Sequence, residues 1–214
     1  MSITIDHQNN LITYGSTALG TATAGTTEYH GTSQYFTPAG TQRGVVPGMQ
    51  YYELNSTYAL TATTSAQAWL GVGVTLSGST IYAFDAFYPF IKTTTTTSHT
   101  LGTGFGGTAT LNNIAYTLLR YYDGASFTTA NNTLAASAFV QTASNTTTMT
   151  ASSAATYYGF IKMQGVVSVN AGGTFIPQAT TSASGPIYTS QIGSFFRIYP
   201  IGASGANVSV GAWA

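Results

Sequence analysis

The sequence predicts an all-β fold, a sandwich or barrel, and three observations carry that expectation. Short runs rich in Val, Ile, Thr, Tyr and Phe recur between Gly, Asn, Ser and Pro breaks, the pattern of strands joined by tight turns. Helical periodicity is almost absent. The 214 residues are 43% hydrophobic but only 5% charged, so the chain can fill a core and lacks the high charge and low hydrophobicity of a disordered one. Roughly eight to ten strands with short turns, the size of a jelly roll or related sandwich, fit this length as one domain.

Along the chain, residues 2–6 and 11–14 read as two short strands flanking Asn9-Asn10. Residues 15–31 are small and polar, the composition of an arm or linker. The body begins near Arg43, which divides the chain into a segment 1–42 and a β-sandwich domain 43–214. After a turn at Val45-Val46-Pro47-Gly48, strands are expected over 49–55, 58–63 and 66–76, where Val72, Val74 and Leu76 alternate with Gly73 and Thr75. Ser77-Gly78-Ser79 reads as a hairpin turn.

Residues 81–92 are apolar on both faces, with Ile81, Ala83, Phe87 and Ile91 on one and Tyr82, Phe84, Tyr88 and Phe90 on the other. Such a strand is either central or has its outer face against another subunit. Residues 93–97 are a run of five Thr, read as an exposed loop or edge. Residues 111–120 and 133–140 fit either a helix or a strand, and 142–156 reads as a Thr/Ser/Ala surface loop or edge. Residues 157–170 and 195–201 are strongly β, and 208–213 closes the chain.

Composition excludes several functions. With five basic residues against five acidic ones, no basic stripe can release counterions from a nucleic acid. Without cysteine there is no disulfide framework, thiol catalysis or thiolate zinc site. No stretch approaches the ~18 apolar residues of a membrane helix. The first ten residues lack the basic and apolar regions of a secretory signal, which points to folding in the cytoplasm of the producing cell.

No catalytic, cofactor or metal site is expected. His7, His30 and His99 lie far apart in polar segments and read as surface residues; His30 near Glu28 is the closest approach to a metal pair. Asp85 and Glu53 stand on strands, where balance by a basic residue at a subunit contact is favoured over paired-acid chemistry. No nucleophile elbow occurs. The stretch Gly102-Thr-Gly-Phe-Gly-Gly107 lacks the helix and lysine of a phosphate loop and reads as a flexible turn. Aromatic doublets are the remaining signal: Tyr51-Tyr52, Tyr121-Tyr122, Tyr157-Tyr158 and Phe195-Phe196 each send one ring inward and one outward. Exposed tyrosine suits protein interfaces first and sugar stacking second.

The stretches GVVSVNAGGTFIPQ (165–178), GSFFRIYPIG (193–202) and GAW (211–213), with RGVVPG (43–48) and GFGGTATLNN (104–113) upstream, resemble structural proteins of tailed bacteriophages, especially marine ones. The resemblance spans Arg43 to the end. It implies a jelly-roll-type β-sandwich like complement and tumour-necrosis-factor domains, trimeric, on a virion made in the host cytoplasm. Such proteins are tail-fibre or structural components. With no long shaft, coiled-coil heptad or collagen-like repeat in this sequence, the preferred role is non-enzymatic capsid decoration or cement, with other copies of itself and the capsid shell as partners. The competing role is a tail- or head-fibre tip that binds a host surface glycan or protein. Tyr82, Phe84, Tyr88, Phe90, Phe195 and Trp213 are the candidate core or interface anchors, and Ile3, Ile5, Leu11 and Ile12 the candidate particle-attachment residues.

Overall fold

A computed structural model of the chain describes residues 3–6, 11–14, 18–30, 33–40, 42–46, 48–94, 96–123, 136–152, 156–207 and 209. Its strands are β1 (Ile3–Asp6), β2 (Leu11–Tyr14), β3 (Thr26–His30), β4 (Ser33–Thr37), β5 (Gly44–Val46), β6 (Gln50–Glu53), β7 (Tyr58–Ala59), β8 (Gln67–Ala68) and β9 (Val74–Leu76). The second half carries β10 (Thr80–Thr93), β11 (His99–Gly106), β12 (Thr110–Asp123), β13 (Ala136–Val140), β14 (Thr146–Ser152), β15 (Tyr157–Ala171), β16 (Gly173–Thr181), β17 (Ile187–Ser190) and β18 (Phe195–Ala203). No helix occurs among the described residues, so the all-β expectation holds. The 111–120 ambiguity resolves to strand β12, and 136–140 to strand β13.

Two antiparallel sheets enclose the core. The eight-stranded sheet runs β13-β12-β15-β10, after which β18 and β17 share the far edge of β10 and are flanked by β6 and β7 respectively. The five-stranded sheet runs β14-β11-β16, with β8 and β9 sharing the far edge of β16. A small third sheet, β3-β4-β5, buries Tyr35 and Thr37. Its strands lie on both sides of residue 42, and the Arg43 guanidinium reaches Glu28 at 2.5 Å and the Gly20 carbonyl at 2.7 Å. β1 and β2 pair with each other, Ile3 opposite Tyr14 and Ile5 opposite Ile12.

β10 organises the larger sheet. Every even residue from Thr80 to Lys92 is buried and every odd one half-buried, the period of two expected of a strand covered more on one face than the other. Phe84 sits among Phe105, Tyr116, Phe175 and Phe196 at centroid distances of 5.1–6.2 Å. Gly165 makes this possible. It lies opposite Phe84 on one side and Tyr116 on the other, and a Cβ there would fall 2.4 Å from the Tyr116 Cβ and 2.2 Å from the Ala115 carbonyl oxygen. Two large rings close over a position that only glycine can occupy. Farther along, Trp69 stacks on Tyr88 at 5.6 Å.

Three expectations need correction. Residues 102–107 are not a flexible turn: all but the last belong to β11, an interior strand of the five-stranded sheet, and 102–105 are buried. The glycines are there for room, since a Cβ on Gly104 would lie 2.7 Å from the Ala143 carbonyl oxygen and one on Gly107 2.2 Å from that of Thr174. Ser77-Gly78-Ser79 is not a hairpin turn, because β9 pairs with β16 while β10 lies in the other sheet. It carries the chain from sheet to sheet, with Ser79 at a φ of 51°. Finally, the strands expected over 49–55, 58–63 and 66–76 shrink to β6, β7, β8 and β9. These are short edge strands, and their interruptions let the chain bend round the open side of the sandwich.

Candidate self-association surface

The outer face of the eight-stranded sheet carries a row of aromatic rings. On β10 the odd residues face outward, and antiparallel pairing sets Phe87 directly across from Phe195 of β18. On the other side Phe160 of β15, paired with Pro89, lies diagonal to Phe87 two positions along the ladder and directly across from Tyr121 of β12. Tyr51 of β6 lies diagonal to Phe195. The resulting ring-to-ring distances are 5.8 Å for Tyr51–Phe195, 6.3 Å for Phe195–Phe87, 5.5 Å for Phe87–Phe160 and 5.4 Å for Phe160–Tyr121. Five adjacent strands thus contribute one ring each, and cross-strand aromatic contacts of this kind stabilise the sheet locally.

Beside the band, the apolar surface continues through Met49, 49% exposed, and Val166, 40% exposed, which line a shallow groove with Ala83 and Tyr199. Most charges here are paired within the chain, whereas Lys162 of β15, directly across from Phe87, is exposed. Arg197 donates to Asp85 Oδ2 at 2.7 Å across the β10–β18 pair, and its guanidinium lies over the Phe195 ring. Tyr51 donates to Glu53 Oε2 at 2.7 Å, which raises the Tyr51 phenol above its ordinary value. Asp85 and Glu53 therefore do not form a carboxylate pair. A row of aromatic rings flanked by the paired Arg197–Asp85 and Tyr51–Glu53 groups has the composition of a protein-interface core.

The candidate anchors fall into two groups. Tyr82, Phe84, Tyr88 and Phe90 face inward and belong to the buried core. Phe195 is half-buried in the outer band, while its neighbour Phe196 is buried inside. The doublets at 157–158 and 195–196 divide between the faces in this way. Trp213 lies outside the described residues. In the β1–β2 ladder Ile3 pairs with Tyr14, Ile5 with Ile12 and Leu11 with Asp6. Sequence reasoning missed the band as a row. Phe160 stands in no doublet and Phe87-Tyr88 is not one of those singled out in the sequence; only the registers of β10, β15 and β18 line the rings up.

The histidines separate. His30 is exposed, and Glu28 is engaged by Arg43 rather than by it. His7 lies outside the described residues. His99 is not a surface histidine as expected: it is 2% exposed, at the start of β11, and its Nε2 is 2.7 Å from the Tyr188 hydroxyl. Among the described residues no three His, Asp or Glu side chains are grouped as a metal site would require, and no helix is long and apolar enough to cross a membrane. Comparisons of the chain with protein families, curated proteins and solved structures find no match.

Proposed function

We propose that the chain is a non-enzymatic structural protein of a bacteriophage virion surface, of the capsid-decoration or cement type, assembling as a homotrimer through the outer face of its eight-stranded sheet. The carrying observation is the aromatic band from Tyr51 to Tyr121 on a chain with so few charges. Near-zero net charge leaves little repulsion between copies, and a flat apolar face gains most by meeting another apolar face. At the centre of the band Phe87 is tilted by 43° and 47° to its neighbours, which suits interdigitation with protein side chains, while the outer pairs Tyr51–Phe195 and Tyr121–Phe160 lie at 27° and 20°.

Strand order supports a jelly-roll form. β6-β18-β10-β15 in one sheet and β9-β16-β11-β14 in the other correspond to the first, eighth, third and sixth, and the second, seventh, fourth and fifth strands of a double Greek key. The β12–β13 pair is then an insertion that widens the first sheet at β15. The β1–β2 pair, which carries Ile3, Ile5, Leu11 and Ile12, is the proposed shell-attachment element.

Light scattering of the purified protein tests the assembly. A species near three times the 22.2 kDa chain is expected, and joint replacement of Phe87 and Phe160 by Ser should shift it to folded monomer. A parent protein that is a clean monomer would sink the reading. Selective binding of the intact oligomer on a glycan array, without co-sedimentation with undecorated capsids, would favour the fibre-tip role instead.

A further inference from the structure

The two ends of the sandwich core are built differently. The middle is closed by Phe84, Phe105, Phe175 and Phe196, which cannot titrate. The end where β10 passes into β11 is closed by a buried polar chain. His99 Nδ1 is 2.8 Å from the Thr97 carbonyl oxygen, which can only accept, so Nδ1 carries the proton of the neutral ring. Nε2 is therefore an acceptor, and the Tyr188 hydroxyl donates to it at 2.7 Å. The Tyr188 oxygen in turn accepts from the Tyr157 hydroxyl. Since β11 belongs to the five-stranded sheet and β17 to the eight-stranded one, the His99–Tyr188 bond is a polar tie between the two sheets.

A second proton on His99 would break this order. Nε2 would become a donor, the Tyr188–Tyr157 chain would have to reverse, and a second cation would be buried on the side of Lys92. That lysine lies on β10 directly across from both Tyr157 and Tyr188, with its Nζ 5.6 Å from the Tyr157 ring centre. Among the described residues the titratable groups facing His99 are thus Lys92 from β10, Tyr157 from β15 and Tyr188 from β17. β14 and β16, which flank β11, contain no titratable residue, and the 94–98 connection has none. No Asp or Glu stands on β11, β14, β16 or β17, and Asp85 of β10 faces the opposite side of its sheet.

We propose that His99 is an acid-operated latch: the neutral ring ties the two sheets at this end, and protonation releases β17 and the start of β11 while the aromatic middle stays closed. Burial lowers the His99 value most, and the Lys92 charge adds to it against the opposing bond to Thr97. A histidine depressed in the folded state stabilises it fully above the ordinary value of about 6.5, and that contribution is lost as the pH falls from there toward the folded value. The latch stands on the inner cluster alone and does not depend on the assembly proposed above.

Amide hydrogen exchange on the full-length protein tests it, with rates corrected for the pH dependence of the chemistry. Protection at Thr100, Leu101, Tyr188 and Thr189 should fall between about pH 8 and pH 5, by up to about tenfold for each pH unit separating the unfolded and folded values of His99. Protection at Phe84 and Ala86 should hold. In His99→Gln, whose amide can keep both hydrogen bonds, the end should show the same protection at both pH values. Unchanged protection of the end in the parent, or an identical pH profile in His99→Gln, overturns the latch. If that variant does not fold, the nuclear magnetic resonance titration of the His99 ring in the parent decides: a midpoint below the ordinary histidine value supports the latch, and one at or above it overturns the proposal.

Discussion

Phe84 and Phe87 are three residues apart on one strand, and their surroundings separate what holds the fold from what faces outward. Phe84 points inward, is 2% exposed and touches rings from β11, β12, β16 and β18. Phe90, equally buried, packs on Trp69, Tyr157 and Tyr188. Truncating either to Ala removes dispersion contacts on several sides and leaves a cavity that rigid neighbouring strands cannot fill. Each change should cost about 3–5 kcal/mol, read as a drop in the midpoint of urea unfolding. Among the described residues Phe87 has ring neighbours only along its own sheet, Phe160 and Phe195. Phe87→Ala should cost the single chain clearly less than Phe84→Ala; equal losses would mean that the inward and outward faces of β10 have been exchanged.

At the scale of elements, the legible parts were those whose information lies along the chain. Residues 81–92 announce a strand because apolar side chains occupy both parities, and β15 and β18 are read correctly from Val167, Val169 and the Phe195-Phe196 doublet. The illegible parts depend on neighbours that the sequence does not name. A glycine-rich run such as 102–107 suggests a turn, yet here Gly104 and Gly107 fit under the Ala143 and Thr174 carbonyls. His99 looks exposed amid Thr and Ser, but Tyr188, eighty-nine residues away, supplies the partner that makes its burial tolerable. The outer band is invisible for the same reason, because inter-strand register is a property of pairs of strands. The N-terminal hairpin gives the element-scale test. Among the described residues β1 and β2 have strand pairing only with each other, and an isolated two-stranded hairpin adds little to a core. Deleting residues 1–17 should leave the thermal midpoint of the body unchanged while abolishing co-sedimentation with capsids. A deletion that aggregates on expression would assign the hairpin to the fold instead.

The whole molecule is governed by how little charge it carries. Five basic and five acidic residues are spread over 214 positions, and two of the ion pairs, Arg43–Glu28 and Arg197–Asp85, are satisfied inside the chain. Cohesion between copies then has to come from apolar contact and hydroxyl or amide hydrogen bonds rather than from complementary charge. This distinction is measurable. At about 1 M salt the Debye length shrinks to ~3 Å and exposed ion pairs lose most of their attraction. An interface built on charges would dissociate more readily on dilution under those conditions. One built on Tyr51, Phe87, Phe160 and Phe195 should not, and an excluded salt such as sulfate should tighten it by strengthening apolar burial. Sedimentation velocity across a dilution series, at low sodium chloride, at high sodium chloride and in sulfate, gives the comparison. The proposed surface requires a dissociation constant that is unchanged or lower in sodium chloride and lower again in sulfate. Weakening by sodium chloride would mean that charged groups rather than the rings carry the contact, Lys162 of β15, directly across from Phe87, foremost among them.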